Sequence, residues 1–87
     1  MKTENIVYSK PTCPYCVKAK SLLDELNIPY KEIQIQNDPA LREEMITKAN
    51  HHTVPQIFLN GTHIGGCDDL YAQHKLGKLD QYTQASA

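Results

Sequence analysis

Apolar and polar positions along this chain alternate between two periods, near 2 and near 3.6 residues, and the switches between them outline its elements. "NIVYS", residues 5–9, is a short β-rich run that ends at the turn-forming "KPT". From 14 to 27 the pattern is helical. Cys16, Ala19, Leu23 and Leu26 form one apolar stripe, with Lys18, Lys20 and Asp24 off it. Asn27 and Pro29 end that helix, and "YKEIQI", residues 30–35, alternates as a half-buried strand. Asp38 is the expected N-cap of a second helix, with Pro39 at its first position. Leu41, Met45, Ile46 and Ala49 line one face of it. In "VPQIFLNGTHIGG", Asn60-Gly61 predicts a type I′ hairpin, whose central residues both need positive φ, between strands "QIFL" and "THI". Gly65-Gly66 opens a third helix with Asp68 and Asp69 in its first turn, where carboxylates favour the positive helix end. Gly77 closes it, and "KLDQY" predicts one further turn.

The predicted order is β-α-β-α-β-β-α. A βαβ start gives two parallel strands and the hairpin adds two antiparallel ones, so the fold class is α/β, a four-stranded mixed β-sheet flanked by helices. Eighty-seven residues make a single domain, 1–87, with 83–87 as a frayed tail. At 40% hydrophobic and 22% charged, the chain has the composition of a soluble globular protein. A net charge of −1 points to neither nucleic acid nor an anionic membrane as partner. The longest apolar run is three residues, and no signal peptide is evident, so the expected setting is cytoplasmic. A monomer is the default expectation.

Three cysteines are too few for a disulfide framework, and two of them form a Cys-x-x-Cys pair at the first strand-to-helix junction. Structural zinc would need four ligands, and no second Cys-x-x-Cys or spaced histidine pair accompanies this one. A structural disulfide across two residues would close almost no loop. Exchange chemistry fits better. Cys16 belongs to the apolar stripe and should face inward, whereas Cys13 precedes the helix and should be exposed beside the first unpaired N–H groups. With Lys10 and Lys18 nearby, these features favour the thiolate, which is the nucleophile. Cys13 is then the attacker on an external disulfide and Cys16 the resolver.

The residues now support a resemblance. "CPYC" at 13–16, "TVP" at 53–55 and "GGCDD" at 65–69, in this order and spacing, resemble a glutaredoxin of the dithiol type over residues 6–79. A thioredoxin would usually carry Trp-Cys-Gly-Pro-Cys, and this chain has no tryptophan. The resemblance implies a thioredoxin fold with Pro55 cis, and glutathione as co-substrate. Lys10, helped by Arg42, would meet the glycyl carboxylate. Tyr15 would flank the glutathione sulfur. Thr53 and Val54 would hold the cysteinyl portion beside Pro55, Val54 through its backbone. Cys67 and Asp68 would take the γ-glutamyl end. Plainer readings stand beside these: Arg42 as a solvated helix residue, Tyr15 as surface cover, Asp69 as a first-turn charge, Cys67 as a non-catalytic packing residue. His51 and His52 depart from the family's usual residues before "TVP" and read as exposed loop histidines.

The activity implied is a glutathione-disulfide oxidoreductase acting on glutathione mixed disulfides and protein disulfides, recycled by glutathione, glutathione reductase and NADPH. No bound metal or nucleotide is expected, since the chain lacks a glycine-rich dinucleotide loop. Two rivals remain: an iron–sulfur carrier using Cys13 and glutathione, against which Pro14 counts, and a dedicated electron donor to one enzyme such as ribonucleotide reductase.

Overall fold

The computed structural model describes residues 5–79 and Tyr82; the tail at 83–87 and part of the turn expected in "KLDQY" lie outside the described residues. Its elements are β1 (Ile6–Ser9), α1 (Pro14–Glu25), β2 (Lys31–Gln34), α2 (Pro39–Ala49), β3 (Gln56–Leu59), β4 (Thr62–Gly65) and α3 (Cys67–Lys75). They form one mixed sheet of order β2-β1-β3-β4. β1 pairs parallel with β2, and β3 pairs antiparallel with both β1 and β4.

Strand alternation divides the core into two layers. Val7, Ile57 and Leu59 face Ala19, Leu22, Leu23 and Leu70, from α1 and α3. Tyr8 and Phe58 point the other way, onto Met45 and Ala49 of α2. Tyr8 and Phe58 meet edge to face at 5.9 Å, and the Tyr8 hydroxyl donates to Glu44 Oε2 at 2.6 Å. The sheet is therefore covered on both faces, and truncating a buried side chain such as Leu23 to alanine should cost about 2–5 kcal/mol.

The chain's own punctuation sets the ends. Asn27 adopts φ 58°, its N–H reaching the Asp24 carbonyl and the Ile28 N–H that of Leu23. This is a Schellman closure, with apolar Ile28 and Leu23 in the same core layer. Gly77 repeats it after α3, at φ 75°. Asp38 caps α2 by accepting the Leu41 N–H at 3.1 Å, with Pro39 at the first position. Asn60 and Gly61 both have positive φ, as the hairpin requires. Two expectations shift slightly. Leu22 is buried where the stripe named Leu26, which is only partly covered. Gly65 ends β4 rather than opening α3, whose N-cap is Gly66.

Register brings three loops to one edge of the sheet. Tyr8 stands opposite Gln56, so the segment before β3 lies against the carboxyl end of β1, where the chain turns into α1. Ile57 stands opposite Gly65, which delivers the start of α3 to the same edge. A crevice outside the carboxyl end of a parallel strand is where open α/β sheets bind ligands.

Candidate active site

Cys13 is the N-cap residue of α1, with extended φ −99° and ψ 111°. Its sulfur accepts the Cys16 backbone N–H at 3.2 Å. Serine or aspartate oxygen normally fills that position, satisfying one of the free N–H groups of the first turn. Here a sulfur fills it, so a backbone donor and the positive end of the helix face the atom on which a thiolate would form. Pro14 follows at the first helical position, where no N–H is needed. Cys13 is half-buried, and its Sγ lies 3.9 Å from the Val54 carbonyl oxygen.

Cys16, one turn on, is fully buried. Burial above all, then the hydrogen bond with Cys13, push its thiol up to about 12; the Lys10 backbone N–H opposes them, the Cys13 charge adds a little, and the Lys20 charge opposes most weakly. Burial leaves this sulfur a thiol while its neighbour is only half-buried at the helix start. The two cysteines are thus adjacent but unlike, the division of labour that attack and resolution demand.

A cleft of about 240 Å³ opens beside Tyr15 and is lined by His51, Thr53, Val54, Gln56, Gly66, Cys67, Asp68 and Asp69. The Val54–Pro55 peptide bond is cis, as the resemblance implies, and Pro55 is buried behind the wall. Of the ligand contacts expected from sequence, Tyr15, Thr53, Val54, Cys67 and Asp68 come together here. Lys10 and Arg42 are exposed and stand outside the lining, Lys10 after β1 and Arg42 in the first turn of α2. Asp69 uses Oδ2 to accept the Gly66 N–H at 3.0 Å, half of a capping box, so it holds the start of α3 while lining the cleft. Lys18 sits over the Tyr71 ring, 5.2 Å from its centre, linking α1 to α3.

His51 and Gln56 were missed as lining residues. Gln56 is buried and ties the wall together: its Nε2 donates to the Thr53 carbonyl at 3.0 Å, and its Oε1 meets His63 Nε2 at 2.8 Å. Because the amide nitrogen is already donating to Thr53, the oxygen is left to accept, so the His63 Nε2 carries the proton. Burial and the neighbouring His51 lower the pKa of His63, with Asp69 opposing. A polar residue directly after "TVP", at the start of an otherwise apolar strand, was the signal for Gln56. For His51 it was adjacency to that motif.

Among the described residues, no cluster of three or more His, Cys, Asp or Glu could hold a metal ion, and no helix is long and apolar enough to cross a membrane.

Comparison with known proteins agrees with this arrangement. The glutaredoxin family model matches residues 5–64. The chain is 51% identical over 74 residues to glutaredoxin 3 of Escherichia coli strain K12, covering 85% of this chain and 89% of that protein. The solution structure of a glutaredoxin from Brucella melitensis superposes with a TM-score of 0.81 at 42% identity, covering 99% of this chain and 94% of the other. A buckwheat glutaredoxin–glutathione complex does so with a TM-score of 0.82 at 33% identity, over 93% of this chain and 76% of that one. The chain therefore belongs to the glutaredoxin family: it is a glutaredoxin-family thiol–disulfide oxidoreductase with a thioredoxin fold.

Proposed function

We propose that the protein is a glutathione-disulfide oxidoreductase in which Cys13 attacks and Cys16 resolves. The observation that carries this reading is the position of the Cys13 sulfur, which caps α1 at 3.2 Å from the Cys16 N–H. The thiolate of Cys13 attacks a glutathione mixed disulfide, keeps the glutathionyl group and releases the substrate thiol. A second glutathione then frees Cys13, and glutathione reductase with NADPH returns the oxidised glutathione to its thiol. On a protein disulfide, Cys16 closes on Cys13 and expels the reduced protein.

In this reading the tripeptide lies along the cleft with its γ-glutamyl end at α3. Its γ-glutamyl carboxylate meets free N–H groups at the start of α3 and its ammonium meets Asp68, which places the sulfur near Tyr15 and Cys13. The cysteinyl backbone runs along Thr53 and Val54 as an added strand would. The glycyl carboxylate extends out of the lined region toward Lys10 and Arg42. Support for glutathione as the ligand comes from the buckwheat relative, whose structure is a glutathione complex. We place the activity in the cytoplasm, in a single-domain monomer, with ribonucleotide reductase as one candidate among disulfide-bearing partners.

The test is NADPH consumption coupled through glutathione reductase, with a small glutathione mixed disulfide as substrate. Wild type and Cys16→Ser turn it over, and Cys13→Ser does not. On a protein disulfide Cys16→Ser also fails. A Cys13→Ser variant that remains active while Cys16→Ser is dead would reverse the roles.

A further inference from the structure

One turn along α1 from Cys16 lies a polar cluster that the cleft chemistry does not use. Lys20 Nζ bonds Glu32 Oε2 at 2.8 Å, and the side chains are only 22% and 29% exposed. The same carboxylate oxygen accepts the Ser9 hydroxyl at 2.6 Å and lies 3.4 Å from Gln34 Nε2. Ser9 is fully buried at the end of β1, one residue before Lys10. Three donors thus converge on one oxygen, and the Lys20 and Ser9 bonds hold the Glu32 carboxyl below the usual carboxylate range. Glu32 stays ionised and clamps Lys20 in place. Four residues along α1 put Lys20 on the helix face that carries Cys16.

We propose that Lys20, clamped by Glu32, is a positioning residue for the resolving step, its ammonium easing proton release from buried Cys16 as the ring closes. This rests on the reading of Cys13 as attacker and Cys16 as resolver. In that step Cys13–S–S–R and Cys16–SH become Cys13–S–S–Cys16 and RSH. Cys16 is oxidised, the sulfur of R is reduced, and the Cys16 proton reaches the departing thiolate through solvent. Before attack, the Cys16 proton must leave a site where burial opposes charge. In the mixed disulfide Cys13 is uncharged, so its repulsion of a Cys16 thiolate is gone.

What then favours the Cys16 thiolate is the Lys10 backbone N–H from the β1–α1 loop and, more weakly, the Lys20 charge one turn along its own helix. Glu32 and Gln34 of β2 and Ser9 of β1 act through Lys20. Of the two groups favouring the thiolate, only the lysine can be removed by substitution. A partly buried charge is screened less than a surface one, so its loss is felt at the sulfur.

A one-unit rise in the Cys16 pKa lowers its thiolate tenfold but raises intrinsic nucleophilicity about threefold, leaving ring closure about threefold slower. Lys20→Met keeps the aliphatic stem and removes the charge. The experiment is single-turnover mixing of reduced enzyme with oxidised glutathione across a pH series. Cys16→Ser reports the first exchange alone, and the dithiol enzyme reports closure.

Lys20→Met should slow closure by up to about threefold and move its pH midpoint upward, with the first exchange unchanged in the Cys16→Ser background. Lys20→Arg should restore both. Closure with an unchanged rate and midpoint in Lys20→Met would overturn the proposal. So would equal slowing of both steps, which would make Lys20 only a structural support. Failure of the underlying reading looks different: Cys16→Ser would then still reduce protein disulfides.

Discussion

The cleft is framed by two helix starts, each bringing a cysteine to the same edge of the sheet, and they do opposite things with it. At α1 the cysteine is the N-cap itself, and its half-buried sulfur accepts the third helical N–H. At α3 the cap is Gly66, which has no side chain, and Cys67 follows at the first helical position, where it is only 5% exposed. Burial raises the Cys67 thiol, with the Lys18 charge opposing. At α3 the bond runs the other way: Asp69, at the third helical position, reaches back to accept the N-cap N–H of Gly66. One residue of offset separates a nucleophile from a wall. In the cap the sulfur meets the helix's positive end, and one step inside it turns into the core.

The sharpest break between the two is activity. Cys13→Ser should abolish glutathione-dependent turnover, whereas Cys67→Ala should leave it at the wild-type level in the same assay. Comparable losses in both would erase the distinction.

A second test attacks the geometry that holds α3 in place. Gly65 sits at φ 120°, and a Cβ there would run into the Asp69 carboxylate. Gly65→Ala should therefore destabilise the protein by about 1–3 kcal/mol in urea unfolding and weaken glutathione binding as Asp69 is displaced. Unchanged stability would mean that the start of α3 is not built around that contact.

Alkaline stability follows from the buried sulfurs. The Cys16 and Cys67 pKa values lie above the ordinary 9.0, that of Cys16 at about 12. Folded protein therefore holds protons that the unfolded chain releases. The stabilising contribution is complete below pH 9 and lost as pH rises from there toward the folded values. The unfolding midpoint should fall across that window in wild type, and fall less in Cys16→Ser. Equal slopes would show that burial does not hold the Cys16 proton.

The smallest effect is on packing: Cys67→Ala should cost about 1 kcal/mol for the lost sulfur volume. A larger loss would give Cys67 more than a packing role.

Much of this was legible because local rules agree with the global fold. Asn27, Asp38-Pro39, Asn60-Gly61 and Gly77 each need one backbone state for reasons internal to a few residues, and each takes it. The inward Cys16 followed from helical periodicity, whereas Cys13, expected to be exposed because it precedes the helix, is half-buried against Val54. Gln56 was passed over despite its polar character after "TVP", because its place in the wall depends on the Tyr8–Gln56 register and on the Gln56–His63 bond across the hairpin. Local patterns do not encode such pairings. Leu22 replaced Leu26 in the core because the helix ends at Glu25, so Leu26 is a cap residue outside the regular stripe. The cis bond before Pro55 came from the resemblance alone, since sequence sets only a small prior for it.

The contrast between the two helix starts is tested most directly by asking which sulfur carries the glutathionyl group. Reduced Cys16→Ser protein, mixed with oxidised glutathione and examined by intact and peptide mass spectrometry, should hold one glutathione per chain, on Cys13, with Cys67 free. Glutathione found on Cys67, or a Cys13 left unmodified, would contradict the assignment of attack to the sulfur that caps α1.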